Sequence, residues 1–295
     1  MPSSPPTDKQ TIATLDRTAV RHSFERAAAT YDSAAVLQRK VADELLARLD
    51  LMTLEPQRIL DLGCGTGYCA RALQKRYGKA RVFGLDLAHG MACVAKKRAG
   101  WLSHQHFACG DAETLPFASD SFDLVVSSLA LQWCQPDPAF TEMARVLKPG
   151  GVLLFASFGP DTLMELRQAW KAVDDGTHVH DFIDMHDLGD AMLRAGLTDP
   201  VVDMDKLVLV YPDVAGLLRD LKDIGASNAA ETRPRTLTGR ERFSRLLAAY
   251  EMFRNEQGRL PATYEVVYGH ALLASAAGLD AQPLDADKQF VDFSP

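Results

Sequence analysis

The chain has 295 residues, 32 of them basic and 39 acidic for a net charge of −7, and 47% of it is apolar. That mix excludes a disordered, collagen-like or fibrous chain, and the acidic balance argues against nucleic acid as a partner. Five cysteines, at positions 64, 69, 93, 109 and 134, form no Cys-x-x-Cys pair, so a zinc ribbon or secreted disulfide framework is not expected. Reduced thiols in the cytoplasm are expected instead.

Met1 to Gln10 is rich in Pro and Ser and lacks the apolar core of a signal peptide. Residues 1–15 are therefore expected to form a disordered tail, and a cytoplasmic location follows. From Thr18 to Leu49, Val36, Leu37, Val41, Leu45 and Leu49 recur at helical spacing, so amino-terminal helices are expected over 18–50. Pro56 ends them. Short apolar strands then follow at Arg58–Leu62, Arg81–Leu87, His106–Gly110, Phe122–Leu129 and Val152–Phe158. Helical stretches at Tyr68–Tyr77, Gly90–Ala99 and Pro138–Leu147 stand between them, and Lys148-Pro149-Gly150-Gly151 reads as a turn before the fifth strand. Such alternation predicts right-handed βαβ units and a mainly parallel, doubly wound sheet, an α/β fold. The longest apolar run, Val152–Phe158, is far short of the roughly 20 residues that span a bilayer, so no membrane partner is expected.

Beyond Gly159 the rhythm changes. Asp161–Val173 and Asp187–Ala195 read as helices, and Val201–Tyr211 and Pro261–His270 as strands. Between those strands, Asp213–Gly258 is helical and charged, and is expected to form a lid over the sheet's functional edge. The expected division is a domain over 16–275, with a core at 56–160, the lid at 213–258, and a loose tail at 280–295.

The sharpest motif is Asp61-Leu62-Gly63-Cys64-Gly65-Thr66-Gly67, which ends a strand and opens a helix. Glycines there permit a tight turn and let a ligand lie against bare backbone. No lysine follows, so a nucleoside triphosphate is not expected. Asp86 ends the second strand, where a carboxylate accepts hydrogen bonds from both ribose hydroxyls of a nucleoside. Gly110-Asp111-Ala112 ends the third, where an acceptor suits an adenine amino group.

This succession resembles the class I S-adenosylmethionine-dependent methyltransferases, continuously from Ile59 to Phe158. The resemblance implies a Rossmann-like, mainly parallel seven-stranded sheet with helices on both faces. It also implies that Asp61, Gly63, Gly65 and Gly67 cradle the methionine moiety, Asp86 the ribose, and Asp111 with Ala112 the adenine. Cys64, Leu87, Met91 and Ser128 complete the implied cofactor set. The flanks narrow the acceptor. Phe24-x-x-Ala27-Ala28-x-x-Tyr31-Asp32 with Leu37-Gln38, Leu131-Gln132-Trp133-Cys134, Gly159-Pro160-Asp161-Thr162-Leu163, Leu221-Lys222-x-x-Gly225-Ala226, Leu237-Thr238 and Gly258-Arg259-x-Pro261-x-Thr263-Tyr264 occur in that order. Together they resemble the malonyl-acyl-carrier-protein O-methyltransferases of biotin synthesis, from about Val20 to His270.

The resemblance implies methyl transfer to the free carboxylate of malonyl-acyl-carrier protein or malonyl-coenzyme A, leaving S-adenosylhomocysteine. A carboxylate, with a pKa near 4, is already ionised at neutral pH, so no general base and no metal are needed. Trp133 and Tyr31 are expected as walls and Gln132 as an orienting group. Lys222, Arg235 and Arg240 are expected to offset charge on the malonyl group or carrier arm, and Arg21 and Arg26, with Arg235 and Arg240, to meet an acidic carrier. His178, His180 and His186 are not spaced as a helical metal pair, and are taken as non-ligands. The competing readings are a methyltransferase for another small acid or a quinone-type ring, and a cofactor-binding protein without turnover.

Overall fold

The computed structural model describes residues 14–100, 103–233 and 239–275. Three helices lead in: α1 (Arg17–Ala27), α2 (Tyr31–Ala34) and α3 (Val36–Ala47). The Asp16 carboxylate starts α1 by accepting from the Ala19 backbone N–H at 3.0 Å, which satisfies one free donor of the first turn. The helical stretch breaks around Thr30, whose backbone N–H turns back to the Ala27 carbonyl at 2.9 Å while its hydroxyl donates to the Asp223 carbonyl at 2.9 Å. Such side-chain bonds compete with helix continuation.

The alternating part follows as β1 (Arg58–Leu62), α4 (Tyr68–Arg76), β2 (Arg81–Asp86), α5 (His89–Arg98), β3 (Gln105–Cys109), β4 (Phe122–Ser128), α6 (Pro136–Val146) and β5 (Leu147–Phe158). Next come α7 (Met164–Lys171), α8 (Met185–Arg194), β6 (Leu197–Tyr211), α9 (Val214–Asp223), α10 (Arg240–Tyr250) and β7 (Leu260–Leu273). The seven-stranded sheet has the order β3-β2-β1-β4-β5-β7-β6. β1 to β5 pair in parallel, and β7 lies antiparallel between β5 and β6. Strand order reverses between β1 and β4, and ligands of such sheets bind beyond the carboxyl ends of the strands at that point.

β1 is buried on both faces. Ile59 packs with Leu45, Leu73 and Leu154 on one side, and Leu60 with Phe122, Phe140 and Leu153 on the other. This is the expected environment of a central parallel strand. It leaves Asp61, 1% exposed, as a carboxyl group inside the sheet.

The structure departs from the sequence reading in three places. α7 is shorter than Asp161–Val173, because Leu163 adopts φ +56° and gives its N–H to the Thr263 carbonyl at 2.6 Å. The segment before it is pinned by Glu265, which accepts from the Asp161 N–H at 2.8 Å. Lys148–Gly151 does not precede the fifth strand but is absorbed in it as a bulge. The register steps from Phe122 opposite Leu147 to Leu124 opposite Val152, with Gly150 at φ +79°. Thr14 and Leu15, expected in the disordered tail of residues 1–15, are paired. The Glu231 N–H donates to the Thr14 carbonyl at 3.0 Å, and Leu15 bridges Ala230. Residues 280–295 lie outside the described residues. Among the described residues no helix is long and apolar enough to cross a membrane.

Candidate active site

The turn after β1 is held from below: the Gly63 and Cys64 N–H groups donate to the Leu85 carbonyl at 2.8 and 3.0 Å. Gly63, Gly65 and Gly67 all have positive φ, at +71°, +52° and +80°. They are glycines for different reasons. A Cβ on Gly63 would stand 2.2 Å from the Ala130 Cβ, and one on Gly67 3.0 Å from the Ala95 Cβ. A Cβ on Gly65 would meet nothing within 4 Å. Gly63 and Gly67 are therefore fixed by packing, whereas Gly65 borders open space.

Three cavities share walls at this edge. Leu85, Asp86, Leu87, Met91 and Ser128 line one, together with Gly110 and Ala112. A second, beneath the glycine turn, is lined by Asp61, Cys64, Thr66 and Ser128. The third, an apolar chamber, is walled by Leu129, Gln132, Trp133, Phe158, His180 and Phe182. Tyr31 lines all three. The expected residues Asp61, Gly63, Cys64, Gly65, Asp86, Leu87, Met91, Ala112 and Ser128 are thus brought together, with Gly67 just behind as the amino-terminal cap of α4.

Asp86 is oriented before any ligand arrives. One oxygen accepts from the Gly65 N–H at 2.8 Å and the other from the Ala88 N–H at 2.8 Å, and each keeps a further lone pair. Burial pushes this carboxyl up to about 6. Burial likewise pushes Asp61 up to about 7, against the Ala70 N–H, which favours its charge. Asp61 Oδ2 is buried without a hydrogen-bond partner. An unpaired buried oxygen is costly unless a donor is meant to reach it, and the ammonium of a methionine moiety is such a donor. These residues fit S-adenosylmethionine.

Asp111 is placed differently from its expected role. Its carboxylate pairs with Arg17 and accepts from the Glu113 N–H at 2.8 Å. Arg17 also meets Glu113 at 2.5 Å and lines the same cavity as Gly110 and Ala112, so α1 is tied to that wall. The expected free acceptor is thus an ion-paired one, and Gly110 and Ala112 form the wall itself. The sequence offers Arg17 only as one of the basic residues near the amino end, and does not mark this pairing, because its partner lies 94 residues away.

The chamber's aromatic wall is fixed by contacts between rings. Trp133 meets Phe24 edge-on at 5.4 Å and 84°, and lies 4.8 Å from His180. Leu129 and Leu163, two leucines held at positive φ, also line it. Backbone strain of about 1–3 kcal/mol per residue persists only where the surroundings enforce it. Gln132 donates to the Leu129 carbonyl at 2.8 Å, which fixes its amide. α2 is moored to the glycine turn: the Thr66 hydroxyl donates to Asp32 at 2.6 Å, and Arg98 pairs with the same carboxylate.

The expected basic residues are elsewhere. Lys222 is exposed on α9, whose neighbouring Leu221 and Ile224 supply the chamber wall. One residue along a helix turns about 100°, which takes Lys222 off that face. Arg240 is exposed and lines no cavity described here, and Arg21 and Arg26 are exposed on α1. Arg235 and the Leu237-Thr238 pair lie outside the described residues. The three histidines diverge. His178 stacks on Trp170 at 3.6 Å and bonds Asp174 at 2.8 Å; His180 is buried; His186 is exposed beside Asp184. No cluster of metal-binding side chains occurs among the described residues.

Comparison with known proteins agrees with this geometry. Residues 60–155 match a family described as a methyltransferase domain. A malonyl-[acyl-carrier protein] O-methyltransferase of Laribacter hongkongensis is 50% identical over 95% of this chain and 96% of its own length. A protein of the same name from Halorhodospira halophila is 49% identical over 96% of this chain and 94% of its own. Among solved structures, the YcgJ protein of Bacillus subtilis shares the fold with a TM-score of 0.57 at 20% identity, over 79% of this chain and 99% of that one.

Proposed function

The chain belongs to the malonyl-[acyl-carrier protein] O-methyltransferase family, and we propose that its adjoining cavities serve one reaction, methylation of the free carboxylate of malonyl-acyl-carrier protein. S-adenosylmethionine supplies a methyl group already activated on a sulfonium. The observation that carries the reading is the shared wall of Tyr31, Leu129 and Trp133, which separates a nucleoside cavity bearing Asp86 from an apolar chamber.

In this reading Asp61 receives the methionine ammonium and Asp86 the ribose. Gly63, Cys64, Gly65 and Ser128 lie along the methionine chain, Leu87 and Met91 flank the base, and Ala112 with Asp111 closes its edge. Tyr31, Gln132 and Trp133 position the acyl group. Burial raises the Tyr31 hydroxyl above its ordinary pKa, so it remains a hydrogen-bond donor. No residue needs to remove a proton, since the carboxylate arrives ionised. The site contributes alignment, with reacting atoms held at about 3–3.5 Å, and exclusion of water.

A panel of carrier-bound acyl groups tests the acceptor. Labelled methyl should pass to malonyl carrier and not to acetyl carrier, which has no carboxylate to methylate. Equal labelling of both would refute the assignment.

Carrier docking is the finer part of the proposal. A chain of net charge −7 attracts an acidic carrier only through local patches, and exposed charges are screened beyond about 8–10 Å. Arg21 and Arg26 on α1, with Arg235 and Arg240 from the lid segment, are the proposed patch. Reversing Arg21 and Arg26 to Glu should raise KM for the carrier substrate and flatten its salt dependence. The rate with malonyl-coenzyme A should change less, because that substrate has no protein surface to dock. Equal losses with both substrates would remove these arginines from the docking face.

A further inference from the structure

The residues that line the chamber include no lysine, arginine, aspartate or glutamate among those described. Beside His178, which bonds Asp174, and the Tyr31 and Tyr264 hydroxyls, two groups stand out among its polar side chains. Thr162 and Asn228 spend their hydrogen bonds on the protein: the Thr162 hydroxyl donates to the Glu265 carbonyl at 3.1 Å, and the Asn228 amide to the Thr177 carbonyl at 2.5 Å. Gln38, Gln132 and His180 each keep a buried polar atom with no partner: Oε1, Oε1 and Nε2. Three such atoms around one apolar space are a concentrated cost, at about 1–3 kcal/mol for each group left unpaired.

We infer that Gln38, Gln132 and His180 form a neutral polar ring around the malonyl thioester and its arm, with Gln38 and His180 as donors and Gln132 Oε1 accepting from an amide N–H of the arm, so that no cationic side chain among the described residues holds the carboxylate to be methylated. The inference rests on the proposed reaction and adds the means of recognition. Gln38 lines both the chamber and the cavity beneath the glycine turn, which places its amide beside the junction. Amide oxygen and nitrogen exchange places by a simple flip, so Gln38 can present a donor to a carboxylate. His180 stands between Trp133 at 4.8 Å and Phe182 at 4.5 Å. Burial, with the nearby Arg167, lowers it to about 4, so it is a neutral ring at physiological pH.

Neutral recognition suits the chemistry. The acceptor carboxylate loses negative charge as its oxygen takes the methyl group. An arginine or lysine clamp would hold the ionised starting state more strongly than the transition state and would slow the step. Neutral hydrogen bonds orient the oxygen with less of that penalty, and the methyl donor brings its own positive charge.

The test uses the full chain with four substitutions. His180→Phe and Gln38→Leu replace an unpaired polar group by an apolar one of similar size, His180 standing among aromatic rings. Each should raise KM for malonyl-acyl-carrier protein about tenfold, the effect of one lost hydrogen bond of moderate strength. Cofactor affinity should stay within about twofold in His180→Phe, whose residue lines the chamber and not the cavities assigned to the cofactor, and the melting temperature of the ligand-free protein should hold or rise in both, since a buried unsatisfied atom is gone. His180→Gln, whose amide nitrogen stands in for Nε2, should restore most of the loss. An unchanged KM in His180→Phe and Gln38→Leu, or a lowered melting temperature with no rescue by Gln, would overturn the inference. So would Arg235→Ala if it raised KM for malonyl-coenzyme A, which has no protein surface to dock, more than either, because a cation would then hold the carboxylate. Failure of the wild-type chain to methylate malonyl carrier at all would strike the underlying reaction instead.

Discussion

Gly65→Val should abolish S-adenosylmethionine binding while leaving a folded protein, whereas Gly63→Ala should damage the fold itself. Both glycines have positive φ, which costs a side-chain-bearing residue about 1–2 kcal/mol. They differ in what a side chain would meet. At Gly65 it meets no protein atom within 4 Å and projects toward the space beside Asp86 and Asp61 that the ligand is proposed to fill. At Gly63 the new carbon would sit 2.2 Å from the Ala130 Cβ, against an ordinary carbon contact of about 3.5–4.0 Å. Calorimetry on Gly65→Val should show affinity reduced at least about a hundredfold, as expected of a filled site. Thermal melts should show Gly63→Ala the less stable of the two. Near-normal affinity in a folded Gly65→Val protein would remove the glycine turn from the binding site.

The second large effect belongs to Asp61. Its carboxyl is buried, raised to about 7, and carries an oxygen with no partner. The sign of the pH effect follows from the direction of the shift. The ligand-free folded state favours the protonated form over a range, from about 4 to about 7, in which the unfolded chain is ionised. That contribution to stability is present at low pH and lost as pH rises through the folded pKa. Binding runs the other way, because an ammonium group needs the ionised carboxylate. Cofactor affinity should therefore rise with pH between about 6 and 8 and level off above, with a proton released on binding at the lower end. Asp61→Asn should weaken cofactor binding about 10- to 100-fold, the range for hydrogen bonds to a charged group. It should flatten this pH dependence and raise the ligand-free melting temperature at pH 8. A pH-independent affinity in the wild type, or an Asp61→Asn variant that binds normally, would take Asp61 out of the site.

These effects are largest where the sequence was most readable, and the reason is local. The glycine turn, Asp86 and Ala112 owe their positions to strand ends, and a strand end is visible as an apolar run meeting glycine. The sheet was legible for the same reason, including the two late strands and the charged stretch between them. What stayed hidden depends on contacts between distant segments. The Arg17–Asp111 pair joins residues 94 apart and turns an expected free acceptor into an ion-paired one. Leu163 at positive φ shortens α7 because Thr263, on a strand far along the chain, takes its N–H. Gln38 stands in a flank motif and His180 among three histidines, but nothing local gives either a role; only burial of an atom without a partner does, and burial is a property of the fold. Lys222 shows the converse error. A lysine near the crevice was an attractive counter-charge, but helical phase puts it on the exposed side of α9.

The central claim is that the acyl carboxylate, rather than any other atom of the substrate, receives the methyl group. The most direct measurement is the intact mass of malonyl-acyl-carrier protein after incubation with the purified chain and S-adenosylmethionine, followed by fragmentation of the acyl arm. The account predicts a gain of one CH2 unit located on the malonyl group and lost on mild ester hydrolysis. A carrier of unchanged mass, or a methyl group found on the pantetheine arm or the carrier's own side chains, would contradict it.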